Sequence, residues 1–159
     1  MTVLRLHIEP LDEKSPVPFE LLTLADPSKK QIDAYLSDST CFVAKLASET
    51  VGVIVLAKIN TTTLEIKNIA VKASEQRKGF GKCLLRYAEK VGITQGYKKL
   101  VIGKGNSSIG QLALYQKEGF EISSIEKDFF LHHYEHPIVE NGILCKHKII
   151  LEKALKESR

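Results

Sequence analysis

Residues 63 to 95 form a predicted strand, a basic turn with two glycines and a long predicted helix, and this succession constrains the fold more than any other feature. Thr63–Val71 has the alternation of a strand, and Gly79–Gln95 places apolar residues on one stripe of a helix. A helix N-terminus presents unpaired N–H groups and a partial positive charge, which together bind phosphate. The turn therefore predicts an anion site where the strand ends and the helix begins.

Two common phosphate motifs do not match this turn. A Walker A loop ending at Lys82 requires glycine where Gln76 lies, and Ser or Thr where Cys83 lies. A Rossmann fingerprint that starts at Gly79 requires a third glycine where Leu84 lies. The turn thus indicates a phosphate site of a different type.

Segments typical of strands and helices alternate along the rest of the chain, and no linker rich in Gly, Ser or Pro divides it. We expect further strands at residues 3–8, 41–47, 51–59, 99–103, 120–125 and 146–151. Helices are expected at 19–24, at 29–36 and from 109 to a stop at Gly119. The short connection after residue 47 predicts an antiparallel hairpin. A length of 159 residues favours one domain, 1–159, of mixed α/β class.

The composition narrows the classes of function. A net charge of +4, with Lys and Arg dispersed, permits a phosphorylated ligand but does not indicate a nucleic-acid partner. The longest apolar run, Val51–Ala57, is far shorter than the roughly 18 residues of a membrane span. The N-terminus does not resemble a signal peptide, and three separated cysteines do not suggest a disulfide framework. We therefore expect a cytoplasmic protein without membrane contact.

Two motifs together resemble one known family. Gln76–Gly81 fits the pattern Gln/Arg-x-x-Gly-x-Gly/Ala after a strand ending Asn-Ile-Ala-Val. Leu114–Phe120 reads Leu-Tyr-Gln-Lys-Glu-Gly-Phe. In order and spacing they are similar to the coenzyme A pyrophosphate loop and a later helix of the GCN5-related N-acetyltransferases, the GNAT superfamily.

The resemblance implies a fold and a cofactor. The fold is a twisted, mostly antiparallel sheet of about seven strands with about four helices, splayed apart between strands four and five. Acetyl-CoA would place its pantetheine arm in that opening, against Ile69, Ala70 and Val71. Its diphosphate would be bound by Gln76, Arg77, Lys78, Gly79, Phe80, Gly81 and Lys82.

The resemblance also suggests catalytic residues. Tyr115 matches the general acid that protonates the departing sulfur, and the Val71 N–H or a neighbour would polarise the thioester carbonyl. Glu65 is the candidate base that removes a proton from the amine, directly or through water. A solvent-facing carboxylate at Glu65, with no protein base, is the alternative.

One position departs from the family pattern. Many relatives have Asn seven residues before the tyrosine, where it contacts pantetheine, and this chain has Ser108 there. Asn106 lies two residues earlier, so either residue is a candidate for that contact. An ordinary capping turn is the alternative for both.

The segment between the last two strands is rich in aromatic residues and histidine. Related enzymes often place acceptor-binding residues here, so Tyr134, Glu135 and Glu140 are candidate substrate-binding residues, and a solvated loop is the alternative. The spacing of His132, His133 and His136 lacks a metal-ligand pattern, and we expect no metal. Cys83 is expected to be a small buried residue and not a carrier of the acetyl group.

The resemblance predicts an acetyl-CoA-dependent N-acetyltransferase. A primary amine of a small molecule or peptide would attack acetyl-CoA directly in a ternary complex. The alternative is a non-catalytic CoA-binding sensor or interaction module. Relatives often form homodimers, so a homodimer is possible, although no residue of the chain indicates one.

Overall fold

The computed structural model describes residues 5–156. The strands are β1 Leu6–Pro10, β2 Ser39–Leu46, β3 Glu49–Lys58, β4 Thr63–Val71, β5 Lys99–Gly105, β6 Glu121–Glu126, β7 Val139–Glu140, β8 Ile143–Leu144 and β9 Lys148–Ala154. The helices are α1 Phe19–Ala25, α2 Lys29–Leu36, α3 Phe80–Thr94, α4 Ile109–Lys117 and α5 Phe129–His133, with a short 3₁₀ turn at Ala73–Glu75.

Seven strands form one sheet in the order β1-β2-β3-β4-β5-β9-β6, and β7 and β8 form a separate hairpin. The β4–β5 pair is parallel and every other pair in the large sheet is antiparallel. The predicted mixed α/β class and the β2–β3 hairpin are confirmed. β1 starts later than predicted, at Leu6, and residues 3 and 4 of the predicted strand lie outside the described part. Helix α5 and the β7–β8 hairpin were not predicted.

The sheet is covered on both faces. One core cluster joins the inner stripe of α3 to β5 and β9, with Leu84, Leu100 and Leu151 fully buried. A second cluster joins α1 and α2 to the opposite face, where Leu22 and Ile32 are fully buried. Amphipathic helices thus bury their apolar stripes against a sheet that is apolar on both sides.

A β-bulge in β4 changes which side chains face which cluster. Val55 pairs with Asn68 and Leu56 pairs with Ile66, so Lys67 has no partner on β3. Because side chains alternate along a strand, one extra residue reverses the alternation. Ile66 belongs to the α3 cluster, whereas Ala70 belongs to the α1 cluster. After the bulge, even-numbered residues of β4 therefore face the α1 cluster, whereas before it they face the α3 cluster.

Strands β4 and β5 also separate from one another after a short paired stretch. Residues 63–66 of β4 pair with residues 99–102 of β5, and the ladder ends there although both strands continue. Beyond that point β5 pairs with β9 and β4 with β3. Among the described residues, the β5-facing edge of residues 67–71 has no strand partner. This opening, called the split below, is the splay expected between strands four and five.

Candidate active site

A groove of about 440 Å³ runs along the split and is called the donor groove. The unpaired end of β4 forms one wall, through Ile69, Ala70 and Val71. The glycine turn and the face of α4 form the rest, including Gln76, Arg77, Gly79, Phe80, Gly81, Lys82, Gly110, Gln111 and Leu114. The groove thus contains all but one of the residues expected from the sequence to hold the β4-bound arm and the diphosphate.

The exception is Lys78. Its amino group lies 2.9 Å from a Glu75 carboxylate oxygen, and it does not line the groove. A contact between Lys78 and the diphosphate stays a prediction.

The glycine turn has the backbone geometry that an anion site requires. Gly79 has φ 85° and precedes the first residue of α3, and Arg77 is also left-handed, with φ 66°. Cys83 N–H donates to the Gly79 carbonyl at 3.1 Å, which is the first hydrogen bond of the helix. The N–H groups of residues 80–82 therefore have no carbonyl partner within the helix and are available to an anion. Gln76 fixes the turn by donating to the Val71 carbonyl at 2.9 Å.

A second cavity, of about 160 Å³, lies across the split from the donor groove and is called the acceptor pocket. Its walls come from α2, β4, β5, α5 and the segment up to β9, and include Tyr35, Glu65, Phe129, Phe130, Tyr134 and Glu140. Part of its floor consists of Gly103 and Gly105. A side chain at either glycine would overlap a neighbour, Lys148 at Gly103 and Cys145 at Gly105. The two glycines therefore let these neighbours lie directly on β5.

A polar network fixes the wall of the acceptor pocket near α1. Asp26 accepts hydrogen bonds from the hydroxyl groups of Tyr134 at 2.9 Å and Tyr35 at 3.3 Å. Asn68, which is 4% exposed, donates to the Tyr35 oxygen at 3.0 Å and to the Leu22 carbonyl at 3.0 Å. Burial raises the pKa of both tyrosines, so both phenols stay protonated at neutral pH. The bulge in β4 is what turns Asn68 toward this network.

Tyr115 lies where the two cavities meet. It lines both of them, as do Ala25, Ile69 and Lys104. The residue is 1% exposed, and no hydrogen bond of its hydroxyl is found among residues 5–156. Burial raises the pKa of the phenol, so Tyr115 holds its proton at neutral pH. Tyr115 is thus a protonated phenol on the wall that the groove and the pocket share.

The other predicted catalytic residue, Glu65, lines the acceptor pocket from β4. Its side chain is 12% exposed and forms an ion pair with Lys67 at 3.1 Å. The carboxylate therefore faces the pocket and not open solvent. Its role as a base remains a prediction.

Neither residue expected to replace the family's asparagine lines the donor groove. The Asn106 amide oxygen accepts from the N–H groups of Lys146 and His147, at 2.8 and 2.9 Å, and its amide nitrogen donates to the Leu144 carbonyl. Ser108 lines the acceptor pocket and donates to Glu140 at 3.0 Å. Asn106 thus ties β8 and the two residues before β9 to the end of β5. A pantetheine contact for either residue stays a prediction.

The candidate substrate residues divide into two groups. Tyr134 and Glu140 line the acceptor pocket, whereas Glu135 is exposed and does not. Cys83 is exposed on α3 and lines neither cavity, so the expectation that it is buried was wrong. It lies beside, and not on, the stripe of α3 that meets the core.

Sequence reasoning missed several pocket residues, namely Asp26, Tyr35, Asn68, Lys104, Phe129 and Phe130. Most of them occur in segments without a motif. Lys104 did carry a signal, because it is a charged residue within an apolar strand and has glycine on both sides. The bulge that reorients Asn68 has no sequence signature of its own.

Between residues 5 and 156, no three His, Cys, Asp or Glu side chains group closely enough to hold a metal ion. None of the helices in that range is long and apolar enough to cross a membrane.

Comparison with known proteins gives one consistent result. The model of the acetyltransferase (GNAT) family matches residues 6–120. The chain is 48% identical over 151 residues to the uncharacterized N-acetyltransferase YvbK of Bacillus subtilis, covering 95% of this chain and 97% of that protein.

Two solved structures share the fold at similar identity. A GNAT family acetyltransferase from Elizabethkingia anophelis with acetyl-CoA bound has a TM-score of 0.93 and 47% identity, covering 94% of this chain and 98% of the other. A Bacillus subtilis acetyltransferase in complex with CoA has a TM-score of 0.89 and 47% identity, covering 96% and 100%. The expected fold is thereby confirmed.

Proposed function

The chain belongs to the acetyltransferase (GNAT) family, and we propose that it transfers the acetyl group of acetyl-CoA to a primary amine of a small molecule or peptide. The observation that carries this proposal is the position of Tyr115, a protonated phenol that lines both the donor groove and the acceptor pocket. A two-substrate reaction needs two sites that open onto one reacting centre. The groove and the pocket supply them.

The donor groove suits acetyl-CoA along its whole length. The free N–H groups of residues 80–82 would hold the diphosphate, helped by the charges of Arg77 and Lys82. The unpaired edge of β4 at Ile69–Val71 offers backbone groups to the amides of the pantetheine arm. The thioester would then lie beside Tyr115. Solved relatives with acetyl-CoA or CoA bound support this assignment.

Direct transfer uses groups from the walls of both cavities. The neutral amine nitrogen attacks the acetyl carbonyl carbon, and a C–N bond forms as the C–S bond breaks. Tyr115 gives its proton to the sulfur, and the proton that the amine loses passes to Glu65 or water. A proton from water then restores the phenol of Tyr115. A backbone N–H near Val71 would stabilise the oxyanion. Cys83 lies outside both cavities, which supports a route without an acetylated enzyme.

The test combines binding and turnover. Acetyl-CoA at about 100 times its Kd should stabilise the protein by about 2.7 kcal/mol, which for a chain of this size raises Tm by about 5–10 °C. A panel of amines is then screened for release of the free thiol of CoA. An unchanged Tm at millimolar acetyl-CoA would overturn the proposal. A raised Tm without thiol release for any amine would favour the alternative, a CoA-binding sensor.

A further inference from the structure

Lys104 is a charged side chain that the proposed reaction does not use. It lies on β5 in the split, between Gly103 and Gly105, and it lines both the donor groove and the acceptor pocket. By strand alternation it starts on the face of Leu100 and Ile102, which belong to the α3 cluster.

The amino end of Lys104 lies on the opposite face of the sheet. It donates a hydrogen bond of 3.2 Å to the Ala25 carbonyl at the C-terminal end of α1, which covers the other cluster. The side chain therefore crosses the sheet through the split. Only a place where two strands separate allows a lysine to do this.

The carboxylates of the acceptor pocket already have partners. Asp26 accepts two phenol O–H bonds and the Ser28 N–H. Glu65 pairs with Lys67 at 3.1 Å. Glu140 accepts from the hydroxyl groups of Ser107, at 3.3 Å, and Ser108, at 3.0 Å, but no cation pairs with it among residues 5–156.

The lysines of the pocket differ in how many partners their ammonium groups have. The Lys67 charge is balanced by Glu65, and the Lys148 amino group lies 4.7 Å from the centre of the Phe129 ring. Lys104 has only the Ala25 carbonyl as a hydrogen-bond acceptor among the described residues, although an ammonium group has three N–H donors. Burial lowers the pKa of Lys104, and the nearby carboxylates of Glu140 and Asp26 act in the opposite direction.

We propose that Lys104 binds the carboxylate of the acceptor, and that the acceptor is a small amino carboxylate such as an amino acid. This rests on the proposed acetyl transfer. The carboxylate takes the free donors of Lys104, and the amine on the same or the neighbouring carbon lies near Tyr115 and the acetyl group. Glu140, which forms no close ion pair among residues 5–156, attracts that amine as it enters. The aromatic walls accommodate an apolar side chain.

The pocket's mixed charge favours a zwitterion over a polyamine. A polyamine would bring only positive charge and would leave the remaining N–H donors of Lys104 without an acceptor. An amino carboxylate brings one charge of each sign. Lys104 takes no part in bond making and is a specificity-determining residue.

The experiment compares amino acids with their primary amides, which keep the amine and lose the negative charge. We expect the wild-type protein to use the preferred amino acid with kcat/KM about 10- to 100-fold above that of its amide, the effect of one charge-assisted contact. In Lys104→Met that ratio should fall toward one, chiefly through KM, and Lys104→Arg should restore part of it. Lys90→Met, at an exposed position on α3, is the control and should keep the wild-type ratio.

The outcomes separate the two proposals. Equal use of amino acids and amides by the wild-type protein would overturn the role of Lys104, and so would a loss of kcat in Lys104→Met that is the same for both acceptors. Acetylation of amines without a carboxylate, and of no amino acid, would overturn the proposed acceptor class and leave the proposed acetyl transfer standing. If Lys104→Met fails to fold, two wild-type measurements replace it, namely the ratio of kcat/KM between amino acid and amide, and inhibition by a simple carboxylate. A high ratio with inhibition competitive against the acceptor supports the proposal, and the lack of both overturns it. Failure of every acceptor would count against acetyl transfer itself.

Discussion

The donor groove and the acceptor pocket lie on either side of one split and are built in opposite ways. The donor groove takes most of its walls from a single stretch, residues 69–82, and offers mainly backbone groups. The acceptor pocket takes side chains from segments between residues 25 and 148, and most of its polar groups belong to those side chains. One site is local and made of backbone, and the other is assembled by the fold.

This difference has a physical consequence. Backbone N–H groups at a helix start bind an anion whatever the neighbouring side chains are, provided that glycine leaves the approach open. The donor groove therefore depends on conformation. A pocket of side chains depends on identity, because each substitution changes its charge or shape. Variants of the groove should then alter acetyl-CoA binding, and variants of the pocket should alter acceptor use.

The largest expected effect is at Tyr115, one of the four residues that line both sites. Tyr115→Phe removes one hydroxyl and keeps the ring that packs against Phe120. Loss of a general acid is expected to lower kcat by about 10²- to 10⁴-fold. The Kd for acetyl-CoA should change less than threefold, since the ring still lines the groove. Steady-state kinetics and isothermal titration check the two values, and an equal loss in both would show that Tyr115 binds and does not act as an acid.

The pH profile supplies a control for that variant. Burial raises the pKa of Tyr115 above the ordinary value of about 10 for a phenol. An acid must be protonated to act, so the wild-type rate should show no falling limb up to about pH 10. It should rise instead as the acceptor amine loses its proton. A fall in kcat between neutral pH and that limit would contradict the assignment.

The same contrast explains which features were predictable. The turn around Gly79 and the helix that stops before Gly119 carry their geometry in adjacent residues, so the motif, the strand before it and the position of Tyr115 on that helix could be predicted from the sequence. The mostly antiparallel sheet of seven strands and its opening between strands four and five also followed, through the resemblance.

The pocket was predictable only in part. Tyr134 and Glu140 were expected because of where they lie along the chain. Asp26 becomes a site residue only because two tyrosines from α2 and the α5 region point at it. Asn68 faces the pocket side only because a bulge at Lys67 reverses the alternation of β4. Such contacts depend on tertiary structure, which no local pattern encodes.

A second prediction tests whether the groove depends on backbone conformation. Gly79 has φ 85° and Gly96, beyond the other end of α3, has φ 84°, and a Cβ at either position would meet no atom within 4 Å. Alanine in the left-handed region costs about 1–2 kcal/mol, so both Gly79→Ala and Gly96→Ala should lose similar stability in urea unfolding. Only Gly79→Ala should weaken acetyl-CoA binding, by about tenfold, because its Cβ enters the groove.

Titration calorimetry with acetyl-CoA measures the difference between the two variants. Gly96→Ala serves as the matched control, since it has the same strain but lies away from both cavities. Equal affinities in the two variants would show that the turn does not hold the diphosphate. The KM for the acceptor should stay the same in both.

The smallest expected effect concerns the charge of one pocket residue. Glu140→Gln keeps an oxygen that can accept from Ser107 and Ser108 but removes the negative charge that faces the acceptor. A partly exposed charge of this kind contributes about 1 kcal/mol, so the acceptor KM should rise about fivefold, with kcat and the Kd for acetyl-CoA almost unchanged. Glu135→Gln makes the same chemical change at an exposed position outside the pocket and should leave KM within twofold of the wild type. If the two variants raise KM equally, the charge acts at long range and the pocket is not where the amine is recognised. If only Glu140→Gln does so, acceptor recognition resides in the side chains that the fold assembles, as the contrast with the donor groove requires.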